Sequence, residues 1–401
     1  MKRMLYTRAA ALLLVVSLLV GSFCFSASAD AVLLGDLDQN GEITVADART
    51  VLRMAVGLDR RSGGFLSVAD VNGDGSVTTG DARTVLRAAL ALESLGGKTV
   101  EVDLNPFSQY GQLPTYIPPA PVINAPSGTF TFVYYGWGHC VGLSQYGAII
   151  MAQAGYPYEA ILGYYFSGGV LVKGGGYPET SYYAGEYLNT YELLCRIVAQ
   201  EISGAGDASE ALKSQAVAVF TLMKYYNFSI STKYTVGYAM ELSRYNNLPS
   251  SLKTTIQNAV SAVIGEYIAV ANDPNLRPAL TVYGSMVAGR TLSAKEVWGY
   301  SEFPVSVSSP FEASLPGFAT VKTYTRDEIY AKICANLPGA VLSADPAQWI
   351  RITKHDGSLD ANRGYVFEVM VGDQVLSGLD ALTNKLGLRL GSPCYTVTYT
   401  P

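Results

Sequence analysis

Charge is scarce in this chain. Asp, Glu, Lys and Arg make up 15% of its 401 residues, against roughly 25% in an ordinary soluble protein. Neither sign dominates, with 28 Lys+Arg against 33 Asp+Glu. A highly charged disordered chain is therefore excluded, and there is no basic field to attract nucleic acid. Histidine is rarer still: His139 and His355 are the only two, far apart in sequence, and no cysteine pair has CxxC spacing, so no structural zinc site is expected. Cys140, Cys195, Cys334 and Cys394 permit three disulfide pairings, but a chain this long does not need staples, and buried free thiols are the plainer expectation. Past the N-terminus no apolar run reaches the roughly 18 residues of a membrane span.

What the chain has is 49% apolar residues with 40 Gly, 28 Tyr and 18 Pro. That composition describes a folded, turn-rich chain, long enough for about two or three domains. Its first 29 residues stand apart. Lys2, Arg3 and Arg8 precede the apolar run Ala9 to Val20, and Ala27-Ser28-Ala29 supplies the small residues that signal peptidase accepts. A signal peptide over 1–29 and a secreted product follow as the expectation, since Ala9 to Phe25 is short for an anchor. With its three cations removed the net charge moves from −5 to −8, and no membrane association is expected afterwards.

The next segment repeats itself. Asp47-Ala-Arg-Thr-Val-Leu-Arg53 recurs as Asp81-Ala-Arg-Thr-Val-Leu-Arg87, and a twelve-residue stretch ends at each repeated Asp. Oxygen-bearing side chains stand at positions 1, 3, 5 and 12: Asp36, Asp38, Asn40 and Asp47, then Asp70, Asn72, Asp74 and Asp81. A hard cation such as calcium takes six to eight oxygens, and alternating ligand with spacer turns every second side chain inward. Gly41 and Gly75 permit the sharp turn at position six, and Glu42 and Ser76 at position seven are expected to ligate through their carbonyls. Ile43 and Val77 should pin the loops to the core. After each loop, Ala48, Val51, Leu52 and Ala55, then Ala82, Val85, Leu86 and Ala89, have helical spacing.

The entering helix of an ordinary EF-hand is missing, and the twelfth ligand is Asp. This tandem resembles a type I dockerin over residues 33–95. The resemblance implies a small all-α module with two calcium ions, docking onto a cohesin domain of a scaffold in an extracellular, often polysaccharide-degrading, complex of the cellulosome type. It places the recognition face on the repeat helices, including Val45, Ala46, Thr79 and Gly80. The alternative is a calcium-stabilised module without a partner.

From 96 to 127 the periodicity stops and prolines gather at 106, 114, 118, 119, 121 and 126, the composition of an extended tether. Residues 128–401 must then hold the activity, and their mixed segments predict an α+β fold. Strands are expected over Thr129–Tyr135, Tyr365–Val371 and Cys394–Tyr399, with helices over Glu210–Tyr226 and Thr254–Ile264. Thr325-Arg-Asp-Glu328 should open another helix with a capping box.

Two motifs stand out chemically. In Gly136-Trp-Gly-His-Cys-Val-Gly-Leu-Ser-Gln-Tyr-Gly147, four glycines space His139, Ser144, Gln145 and Tyr146, as in a loop whose backbone approaches a ligand. A histidine in such a setting is also a common hydrogen-bonded structural group. Glu201 ends the apolar run from Leu193, where burial should raise its pKa towards that of a general acid working near neutrality. Alternatively it caps a helix or pairs with Lys213. Glu210 reads as a first-turn charge of the following helix.

These motifs, GWGHCVGLSQYGA and EIS…EALKSQAVAV, resemble the stage II sporulation protein D and amidase-enhancer family. Tyr283-Gly-Ser285-Met-Val-Ala-Gly289-Arg-Thr291, Val297-Trp298 and Leu386-Gly-Leu-Arg389 extend the resemblance over nearly all of 128–401. Cys140 stands where the family has Gly and Phe220 where it has Arg. The order is also permuted, because the family carries the GWGH segment at its C-terminal end. Circular permutation costs little where termini lie together, and here it predicts that Cys394–Tyr399 lies beside Thr129–Tyr135.

The resemblance implies a peptidoglycan lytic transglycosylase with Glu201 as the catalytic acid. It implies that His139, Ser144, Gln145 and Tyr146 line the sugar cleft with Gln215, Ser285 and Thr291, with no cofactor in this domain. Its enhancer branch implies instead a non-catalytic wall-binding module that positions another hydrolase on the same scaffold.

Overall fold

The computed structural model describes residues 30–401 apart from 38–39, 57–63, 103–112, 115–116, 118, 207, 272, 300 and 302. The expected signal peptide and the expected ligand Asp38 lie outside the described residues. The chain divides into two units, 1–109 and 110–401.

In the first unit each repeat forms the expected helix, Val45–Ala55 and Thr79–Ala89. Both begin at a threonine N-cap closed by a capping box with the repeated aspartate, Thr44 with Asp47 and Thr78 with Asp81. Ala48 and Val51 of one helix and Ala82 and Val85 of the other enter a shared core, onto which Ile43 and Val77 pack. Leu52 and Leu86, expected inside, are instead exposed with Val45, Val56 and Leu90. Two short helices have one buried stripe between them, too narrow to take every apolar position.

Two further expectations need correcting. The unit is not all-α, because Asp30–Leu33 pairs antiparallel with Thr99–Val102 and clasps its two ends, and a short helix, Gly64–Ala69, fills the space between the repeats. Thr99–Val102 also falls in the stretch assigned to the tether. Its four residues alternate Thr, Val, Glu, Val, and neither the strand nor its partner is long enough to show in sequence without the pairing.

The second unit is mixed α and β. One layer is a three-stranded antiparallel sheet in which Thr129–Tyr135 lies between Ala319–Thr325 and Cys394–Thr400. The last strand thus lies beside Thr129–Tyr135, the adjacency expected of a permuted order, with Cys394 opposite Tyr135 and Thr400 opposite Thr129. All seven residues of the central strand are buried, because it has neighbours on both edges and is covered on both faces. The helix Arg326–Asn336, opened by the Thr325–Glu328 capping box, and the sheet Ile350–His355, Val366–Val371 and Gln374–Ser377 complete this core around Phe130, Phe132, Ile333 and Val369.

The other layer is helical. Ser209–Tyr225 carries twelve buried residues of seventeen, a helix apolar nearly all round and so one that must lie at the centre of its layer. Around it pack Gln145–Gln153, Tyr158–Tyr165, Thr190–Ile202 and Ser250–Val263. Ala211, Ser214, Ala216 and Ala218 keep its surface small enough for close approach. Cys140, Cys195 and Cys394 are buried free thiols, and Cys334 is an exposed one.

Candidate functional site

The two motifs and the Tyr283 segment are far apart in the chain and meet through a short parallel pairing. Leu143 lies opposite Tyr283 and Ser144 opposite Gly284, while the amide of Tyr146 donates to the Ser285 carbonyl at 3.0 Å. Gly142 makes this approach possible: its φ is +75°, and a Cβ there would lie 2.0 Å from the Val282 carbonyl oxygen. The pairing aims the first turn of the helix Gln145–Gln153 at the C-terminal end of Thr190–Ile202, where Glu201 stands.

There the Nε2 of Gln145 donates to Glu201 Oε2 at 3.3 Å and to Gln215 Oε1 at 3.4 Å. The other carboxylate oxygen of Glu201 accepts from the amide of Tyr238 at 3.3 Å. Burial raises the Glu201 pKa above the ordinary carboxylate value, and the Gln145 and Tyr238 donors oppose the rise by holding the anion. The alternative pairing with Lys213 does not form, since that lysine bonds Glu210 at 2.6 Å. Glu210 in turn accepts from the Tyr158 amide at 2.9 Å, which ties two helices together. A half-buried carboxyl of raised pKa, reached by neutral donors, is a chemically suitable proton donor to an adjacent oxygen.

Tyr183 and Gly237, which the sequence did not single out, complete this cluster with Tyr283, the first residue of the third motif. Tyr283 is half-buried near Glu201 and its hydroxyl donates to the Val236 carbonyl at 2.6 Å. Tyr183 donates to the Gly237 carbonyl and accepts from the Ala239 amide. Gly237, at φ +94°, lies so close that a Cβ would meet the Tyr283 hydroxyl at 2.5 Å and Glu201 Oε1 at 2.8 Å. A glycine between tyrosines, Tyr234-Thr-Val-Gly-Tyr238, was the available signal.

The expected cleft residues separate. Gln145 reaches Glu201, Tyr146 is exposed beside it in sequence, and Ser285 is half-buried. Gln215 is wholly buried and meets Gln145 rather than solvent. Ser144 and Thr291 are corrections. Ser144 is wholly buried and caps a helix, accepting from the Gly147 amide at 3.2 Å. Thr291 is wholly buried too, accepting from the Val307 amide at 2.9 Å. Short hydroxyl side chains satisfy nearby backbone groups more readily than they reach a cleft.

His139 is exposed at a recess of about 450 Å³ that it lines with Trp298, Leu379, Asp380 and Leu390. Its ring lies 5.5 Å from that of Trp298, and its Nδ1 accepts from the Val141 amide at 3.0 Å. Cys140, next to it, adopts φ +62°, a conformation that favours glycine. A second buried carboxyl, Glu312, accepts from Ser309 Oγ at 3.1 Å through both oxygens, and burial raises its pKa to about 7.

In the first unit the two loops fold alike. Asp36 accepts from the amides of Asn40 and Gly41, and Asp70 from those of Gly73, Asp74 and Gly75. Asn40 accepts from the Glu42 amide and Asp74 from the Ser76 amide. Asp47 and Asp81 are wholly buried at the loop ends. Among the described residues no three acidic, histidine or cysteine side chains form a metal centre by themselves. Counted with the Asn40 and Asn72 side chains and the Glu42 and Ser76 carbonyls, the donor set is all oxygen, without nitrogen or sulfur, and fits calcium.

No curated protein and no solved structure matches the chain. The family model "Dockerin type I domain" matches residues 34–90, the span that holds both loops and both repeat helices; the chain therefore carries a type I dockerin domain.

Proposed function

We propose that this is a secreted protein in which residues 33–95, holding two calcium ions, dock to a cohesin of a scaffold, and residues 128–401 cleave glycan strands as a peptidoglycan lytic transglycosylase. Cohesin docking follows from the dockerin domain. Leu52 with Leu86 and Val56 with Leu90, exposed in positions that the repeat makes equivalent, together with exposed Val45, are the apolar surface such a partner would cover. Calcium held by Asp36, Asp38, Asn40, Glu42 and Asp47, and by Asp70, Asn72, Asp74, Ser76 and Asp81, would offset the mutual repulsion of these carboxylates.

The observation that carries the enzymatic half is the Glu201 carboxyl, raised by burial and touched by the Gln145 amide. Support comes also from the convergence of the three stretches that resemble the sporulation family, and from the left-handed backbone of Cys140 where that family has glycine. The adjacency of first and last strands supports the permutation. Glu201 protonates the glycosidic oxygen, then as carboxylate takes the proton from the C6 hydroxyl of the muramyl ring, which attacks its own anomeric carbon. No water-activating partner is required, unlike the two-carboxylate routes of ordinary glycosidases. Gln145 positions the carboxyl, Gln215 fixes the Gln145 amide, and His139 with Tyr146 and Ser285 lies towards the saccharide.

Product analysis on denuded peptidoglycan tests this. The wild-type chain should leave 1,6-anhydromuramyl ends and Glu201→Gln should not; equal release by both would leave the non-catalytic, wall-binding alternative.

A further inference from the structure

Beside Glu201 the segment Thr232-Lys-Tyr-Thr-Val-Gly-Tyr238 presents two aromatic rings to solvent. Tyr234 is 84% exposed and Tyr238 42%, and their centroids lie 5.4 Å apart with the planes at 85°. The backbone that carries them is fixed. Val236 accepts from Tyr283, Gly237 accepts from Tyr183, Ala239 donates to Tyr183, and the Tyr238 amide itself bonds the Glu201 carboxylate. The missing side chain of Gly237 lets the segment lie directly against that carboxyl. The rings belong to no core, so folding does not account for their placement.

We propose that Tyr234 and Tyr238 form a saccharide subsite flanking Glu201, on which the C–H face of a pyranose unit of the glycan rests. The inference builds on the acid role of Glu201 and adds two binding residues to that site. A pyranose offers an apolar face with polar edges, and a tyrosine offers an apolar ring with a polar tip, so the two match while their hydroxyls stay wet. Because the Tyr238 amide and the Glu201 carboxylate are already in contact, a sugar resting on these rings has its neighbouring glycosidic bond near the carboxyl. A prefixed backbone reduces the ordering cost of such an encounter.

Calorimetric titration of the full chain carrying Glu201→Gln, with calcium present, tests the subsite without turnover. The probes are the N-acetylglucosamine hexamer and cellohexaose. The N-acetylated hexamer should bind, and adding Tyr234→Ala or Tyr238→Ala should weaken it about tenfold each, the range of an anchoring side chain, while Tyr→Trp should retain binding. Unchanged thermal midpoints will show that the variants fold. Binding of both hexamers that is absent, or indifferent to both tyrosines, overturns the subsite. Tyrosine-dependent binding with no anhydro product from the wild type would keep the subsite and remove the acid role. Product formation with tyrosine-independent binding would do the reverse.

Discussion

Glu312 offers a quantitative test of the core of the larger unit. Its carboxyl is wholly buried, accepts from Ser309 through both oxygens, and faces Ser144, the buried Tyr165 and the largely buried Tyr164, with no cation among the groups that shift it. Burial raises its pKa from 4.5 to about 7. The folded state then keeps its proton where the unfolded chain has lost it. Stability from this group is fully present below about pH 4.5, falls as pH rises, and is gone above about pH 7. The whole loss is about 3 kcal/mol, at roughly 1.4 kcal/mol for each tenfold change in proton concentration. Glu312→Gln removes the titration and keeps an oxygen for Ser309. Urea titrations followed by tryptophan fluorescence read this unit alone, because Trp137, Trp298 and Trp349 all lie in it. The difference between wild type and variant cancels the other titrating groups. Relative to the variant, wild type should lose about 2.5 kcal/mol between pH 5 and pH 8. Parallel curves over that range would refute the argument.

Gly237→Ala should destabilise the larger unit by about 1–2 kcal/mol from the left-handed backbone alone, more with the clash against Tyr283 and Glu201, as read by urea midpoint. Phe132→Ala, at a fully buried position of the central strand, should cost about 3–5 kcal/mol in the same assay. Replacing Gln145 by Met removes a donor to the Glu201 anion, so the Glu201 pKa should rise further and the alkaline limb of glycan cleavage should move to higher pH. Chelation should abolish the helical circular dichroism of a 30–102 fragment while leaving the tryptophan-monitored unfolding of the full chain unchanged; helix content that survives chelation refutes metal-dependent folding of the dockerin domain.

The dockerin domain was legible in sequence because its chemistry is local. Ligands, turn glycine and cap recur within twelve residues, and a repeat states the pattern twice. The helices Ser209–Tyr225 and Arg326–Asn336 were legible for the same reason, through periodicity and a capping box. Glu201 could be singled out because an acid at the end of an apolar helix is costly wherever that helix packs.

Partnership was not legible. Nothing local says that Gln145 rather than Ser144 reaches Glu201, since a one-residue change of direction at a helix start decides which side chain faces out and which one caps. Gly237, Tyr238 and Tyr283 joined the site only when residues 37 to 140 positions apart were brought together. Likewise the clasp of Asp30–Leu33 on Thr99–Val102 exists only as a pairing, because short strands take their stability from their neighbours rather than from their own residues. Sequence by itself determined which groups carry charge, oxygen and aromatic surface and where helices begin. Tertiary structure alone decided which of them meet, because contact energies depend on distances that no local pattern encodes.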